Sequence, residues 1–190
     1  RIALAPYSAS VNAGSYAATA SGGQSVDNCV FERSGSAAVT DEAPTSGRYL
    51  GVMPDPARPS NDDYSCPRAV VLPLSNDPAT LKDRINSFSP AGWTSGHIGA
   101  AWAWYLVSPA WAGLWPGSSQ PAAYDDDRTL KAVILMTDGK FNTFPSINMN
   151  RHTMTMDQIL DAKDRQTIKS NQDAQQLCAN MKAQKVLVYS

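Results

Sequence analysis

Short continuous apolar runs, separated by polar connections rich in proline and glycine, organise this chain. Arg1 to Tyr7, with Ile2-Ala3-Leu4-Ala5 inside it, predicts a short buried strand, and Ala69-Val70-Val71-Leu72-Pro73-Leu74 predicts a second. Lys131-Ala132-Val133-Ile134-Leu135-Met136 is the clearest buried strand, an unbroken apolar run that halts at Thr137-Asp138-Gly139. Lys185 to Tyr189 predicts the last strand. Helices fall between these runs. Asn76-Asp77-Pro78 supplies a capping side chain and a first-turn proline for a helix reaching about Phe88. His97 to Ser108 is apolar almost all round and is closed by Pro109. A third helix starts near Asp157 or Thr167 and ends at Ala183. Strands alternating with helices predict an α/β fold with a mainly parallel sheet.

One long stretch breaks the alternation. From Ser25 to Pro67 the chain is rich in Ser, Asp, Pro and Gly, and a connection of that length inside one domain is usually functional or stapled. Cys29 and Cys66 stand near its two ends, where a disulfide constrains the most chain entropy, so they are expected to pair. Paired cysteines fit an oxidising compartment. The 190 residues are the size of a single domain, and their 16 Lys plus Arg balance 17 Asp plus Glu, which argues against a nucleic-acid or polybasic membrane-surface role. No apolar run approaches the roughly 18 residues of a membrane span.

Candidate chemistry gathers at the predicted carboxyl edge of the sheet, where open α/β folds place their ligand sites. Asp138 ends the clearest strand there, and Thr94, in the loop before an apolar helix, is a second polar candidate or a helix N-cap. Ser95, His97 and Asp138 could be combined into a hydrolase triad, but no Gly-x-Ser-x-Gly elbow follows a strand, and the reading is non-enzymatic. His97 and His152, the two histidines, have no zinc-spaced partners, and helix-surface and loop positions are expected for them. Asp125-Asp126-Asp127 reads as a solvated acidic turn rather than a calcium loop. Five tryptophans fall in one segment. Trp102 and Trp104, about 200° apart on a helix, are expected in the core, whereas Trp111 and Trp115, in a loop with Pro and Gly, are candidate partner-binding residues at the surface. Cys178 on the last helix reads as a small buried hydrophobe.

The run Gly92-Trp93-Thr94-Ser95-Gly96-His97-Ile98-Gly99-Ala100-Ala101-Trp102-Ala103-Trp104-Tyr105-Leu106-Val107-Ser108-Pro109, followed by Trp111, Leu114-Trp115 and Ala132 to Gly139, resembles the von Willebrand factor A domain of TadG-like tight-adherence (Flp) pilus-assembly proteins. Arg1 to Asn12 and Cys178 to Tyr189 fit the same pattern. The resemblance implies a doubly wound, mainly parallel sheet and a metal-ion-dependent adhesion site, in which Thr94 and Asp138 are metal ligands and Mg²⁺, or Mn²⁺ or Ca²⁺, bridges to an acidic side chain of a protein partner. The family's Asp-x-Ser-x-Ser motif is absent, so weak or no metal binding is expected of this chain alone. The same resemblance implies a first strand before Arg1, a partner for Cys178 after Ser190, and a membrane anchor upstream. The expected protein is thus one partial von Willebrand A type domain over residues 1–190, with an insertion at about 24–67, acting in the periplasm or at the cell surface. The alternative is a metal-independent interaction domain using the Cys-bounded insertion and the Trp-rich loop.

Overall fold

Local chemistry sets the element boundaries. The computed structural model describes residues 1–25, 27–52, 66–137, 139–147 and 153–190. Among them the α-helices and β-strands run in the order β1 (Ile2–Leu4), β2 (Val11–Asn12), α1 (Ala17–Ala20), β3 (Cys29–Val30), β4 (Leu72–Ser75), α2 (Pro78–Asn86), α3 (Gly96–Tyr105), β5 (Ala132–Ile134), α4 (Met156–Ala183) and β6 (Leu187–Tyr189). Asp77 caps α2 by accepting hydrogen bonds from the N–H groups of Ala79 and Thr80, with Pro78 in the first turn. α4 starts at a capping box in which Thr155 and Gln158 each satisfy the other's backbone N–H. That box fixes the boundary which apolar periodicity left between Asp157 and Thr167.

The expected doubly wound, mainly parallel sheet does not form. Among the described residues the strands lie in three separate two-stranded sheets, β1–β4 and β2–β3 antiparallel and β5–β6 parallel. The apolar runs do become strands, but they are short, and an apolar run specifies burial without specifying which edge finds which partner. Pro73 inside β4 has no N–H to donate, which confines that strand to an edge. The β1–β4 register also shifts between Ile2 and Leu4. Only β5 and β6, joined through α4, form the parallel crossover that alternation predicts. One face of that pair, Ile134 with Leu187 and Tyr189, stays exposed while Val133 turns into the core.

The core is centred on α3, where every residue except Ala103 is buried. α4 packs against it with one stripe, Ala162, Gln166, Ser170, Asp173, Ala174, Leu177 and Met181. Leu177 and Met181 of that stripe join the main core, while its Ser170 bonds His97. Gly99 permits close approach by Tyr7, whose ring carbons lie 2.5 to 2.7 Å from where a Cβ would stand. No helix among the described residues is long and apolar enough to cross a membrane.

Candidate functional site

Two loops meet at the amino end of α3. The backbone of Thr94 donates from its N–H to Asn142 Oδ1 at 3.0 Å, and the Asn142 N–H returns a bond to the Thr94 carbonyl at 3.0 Å. Asn142 lies in the connection that follows β5, so the half-buried Thr94 is tied to the stretch that carries the Thr-Asp-Gly strand end. Gly96 makes this junction possible, since a Cβ there would fall 2.1 Å from Phe141 Cε1. Asp138 and His152 lie outside the described residues. The other sequence candidate, Thr94, contributes backbone bonds to the junction, and Ser95 takes the N-cap position of α3 without a side-chain capping bond. The described residues bring no group of three His, Cys, Asp or Glu together. Of the two ligands the resemblance implies, Thr94 alone is among the described residues, and one hydroxyl does not make the roughly six-oxygen shell that Mg²⁺ requires.

Of the hydrolase candidates, the two described residues, Ser95 and His97, do not bond each other. Ser95 Oγ donates to the Ala9 carbonyl at 3.4 Å, while His97 Nδ1 shares a 2.7 Å hydrogen bond with Ser170 Oγ. His97 is also not on the helix surface as expected, being 3% exposed and stacked on Phe144 with ring centroids 4.5 Å apart. An all-apolar helix surface is turned inward over its full circumference, and the histidine goes in with it.

A polar group that no sequence spacing brings together surrounds this imidazole. Glu32 reaches it from the insertion, with Oε2 4.0 Å from His97 Nε2, and its Oε1 accepts a 2.7 Å bond from the Ser146 N–H. From α4, Lys169 pairs with Asp173 at 2.5 Å. Desolvation raises the Glu32 carboxyl above its ordinary 4.5, a shift the Ser146 bond opposes and Asp173 reinforces. Desolvation, helped by the Lys169 charge, pushes His97 from 6.5 down to about 3.

These opposite shifts predict a stability profile with two limbs. Folded His97 refuses a proton that the unfolded imidazole accepts, so its contribution is full above 6.5 and is lost as pH falls toward 3. Folded Glu32 keeps a proton that the unfolded carboxyl releases, so its contribution is full below 4.5 and is lost as pH rises through its raised value. Above 4.5, up to the raised Glu32 value, the two slopes oppose and flatten the curve. Urea midpoints collected across pH are expected to rise on leaving strong acid and to lose that slope above 4.5, and Glu32→Gln is expected to remove the flattening, so that the rise continues to 6.5. A flattening that persists in that variant contradicts the assignment.

The tryptophan loop also departs from expectation. Trp111 and Trp115 are 1% and 3% exposed, which removes them as a surface for partner binding. Trp111 stacks on Tyr105 with centroids 4.0 Å apart, and Trp102, Trp111 and Trp115 lie within 6.4 Å of one another. Each indole N–H of the loop finds a carbonyl, Trp111 that of Asp41 at 3.1 Å and Trp115 that of Tyr105 at 3.2 Å. A short 3-10 helix over Pro109–Leu114 folds the loop back over α3, so a Pro- and Gly-containing segment is buried by its own aromatic side chains.

The insertion is bound to this cluster. Its Cys29 and Cys66 form a disulfide. The Arg33 guanidinium lies 4.8 Å from the Tyr105 ring centroid, donates to the Tyr105 hydroxyl at 3.1 Å and also donates to the carbonyls of Thr40 and Glu42. Asp41 accepts from the hydroxyls of Ser108 and Tyr124, and Tyr124 in turn accepts from Trp104 Nε1. Elsewhere, Asp126 is a turn cap that accepts from the Arg128 N–H and the Thr129 hydroxyl. Cys178 is a half-buried free thiol that burial shifts upward, away from reactivity. No protein-family model, curated protein or solved structure matches this chain.

Proposed function

We propose that this chain is a non-enzymatic binding module of a tight-adherence pilus-assembly or surface-adhesion system, which holds a protein partner through its disulfide-bounded insertion without a bridging metal. The observation that carries the reading is the fixing of the insertion's described part, where Arg33 and Asp41 bond it to the aromatic cluster and Cys29–Cys66 closes it. A recognition loop held in one geometry loses less ordering entropy on binding. Its rim at Ser34 to Ser36 and Thr45 to Arg48 is exposed. The system assignment, with an upstream membrane anchor and a periplasmic or cell-surface site, rests on the sequence resemblance.

A metal-bridging mode through Thr94 and Asp138 is the second reading, favoured by the paired Thr94 and Asn142 bonds that join the two candidate loops. In cells making the complete protein, Ser36→Arg with Ser46→Arg is expected to abolish pilus assembly or attachment at unchanged protein level, while Thr94→Ala and Asp138→Ala leave both intact. Loss in the Thr94 and Asp138 variants with normal behaviour of the rim variant transfers the function to the metal. Normal behaviour of all of them removes both readings.

A further inference from the structure

Glu32, His97 and Asp173 come to the α3–α4 interface from three parts of the chain, and each leaves one buried polar atom without a hydrogen-bond partner, Glu32 Oε2, His97 Nε2 and Asp173 Oδ2. Unpaired buried polar atoms are uncommon and costly. Glu32 Oε2 and His97 Nε2 face each other at 4.0 Å, about 1 Å beyond a normal hydrogen bond. Around them, α4 contributes Lys169 and Asp173, which are engaged with each other, and Ser170, which bonds His97 Nδ1. Arg33, beside Glu32 in sequence, is turned away to Tyr105 and the Thr40 and Glu42 carbonyls.

The 141–147 loop covers this group and has no titratable side chain of its own. It is held at Phe141 by Asn171, at Asn142 by Thr94 and at Ile147 by Gln166, all through bonds that pH does not touch. Its other described attachments are the Phe144 ring, stacked on His97 and 5.5 Å from Lys169 Nζ, and Ser146, whose N–H bonds to Glu32. We propose that Glu32 and His97 form a proton-operated latch on this loop: while the pair holds one proton the loop is seated, and loss of that proton releases Phe144 to Ser146, between the bonds that hold Asn142 and Ile147.

With one proton the pair carries no net charge, whether written as carboxylic acid with imidazole or carboxylate with imidazolium. Without it, a buried carboxylate is left with the Ser146 donors and its own N–H, beside a second carboxylate, Asp173, whose ammonium partner is already engaged. Rehydrating that charge requires movement of the element that covers it, and the loop is attached less firmly than either helix. Because Asn142 belongs to the same loop, the release reaches the Thr94 junction. The latch is independent of whether the insertion or the Thr94 loops contact a partner.

Hydrogen exchange on the natural protein tests it. As pH is raised from 4.5 into the alkaline range, the protection factor of the Ser146 amide, corrected for intrinsic exchange, is expected to fall by on the order of tenfold or more, while the Trp102 amide in α3 keeps its protection. Glu32→Gln, whose amide can still accept from Ser146 and donate to His97, is expected to hold the Ser146 protection flat. In the natural protein the ¹³C shift of the Glu32 carboxyl must move over the same interval as the fall, a measurement that needs no variant. Flat protection in the natural protein, a fall that persists in Glu32→Gln, or a Glu32 carboxylate already ionised beside a neutral His97 while Ser146 is protected would each overturn the latch.

Discussion

Replacing Trp111 by Ala is expected to lower the free energy of unfolding by about 4 kcal/mol, the upper range for truncating a buried aromatic residue. Trp111 is 1% exposed and lies between Tyr105, Trp102 and Trp115, so its removal opens a void lined by rings that cannot collapse without breaking their own contacts. Its indole N–H also supports the Asp41 carbonyl, and the Arg33 guanidinium sits 5.7 Å from its ring centroid. The loss therefore reaches the insertion, and amides near Thr40 to Glu42 are expected to exchange faster in the variant. Trp111→Phe retains a ring but not the N–H donor, and is expected to cost less, about 1 to 2 kcal/mol. Urea denaturation of the two variants separates packing from hydrogen bonding. A cost below about 1 kcal/mol for Trp111→Ala would show that the segment is peripheral, as a loop rich in small residues suggests.

Trp111 also shows where sequence reasoning stops. The segments were legible where one signal decides them. An unbroken apolar run marked β5, the Asp77 and Pro78 pair marked the start of α2, and two cysteines bounding a polar stretch marked the disulfide. Partners were not legible, because pairing depends on edges and Pro73 removes a donor from one of them. The burial of Trp111 and Trp115 depends on a 3-10 turn and on carbonyls of Tyr105 and the distant Asp41. Nor does any spacing announce that Glu32, inside a polar insertion, meets His97, since that contact follows from α3 being buried on all sides. At the candidate site, Thr94 could be named but Asn142, the residue that ties it down, carried no signal.

Reducing Cys29–Cys66 is expected to cost about 4 kcal/mol on the chain-entropy estimate for a loop of this length, the two cysteines being 37 positions apart. The effect acts on the unfolded chain, so the folded topology is expected to survive reduction. Asn12 explains why. It pairs with Cys29 in the β2–β3 ladder, its side chain donates to the Pro67 carbonyl at 2.9 Å, and its own carbonyl accepts from the Val71 N–H. Both ends of the insertion are thus anchored on one residue of β2 whether or not the sulfurs are joined. Urea unfolding with and without reductant should give two cooperative transitions of different midpoint, and thiol titration of the denatured chain should count one group before reduction, Cys178, and three after it. A reduced protein that loses the β2–β3 pairing outright would mean that Asn12 cannot hold the insertion, and that the disulfide is a condition of folding in addition to a restraint on the unfolded state.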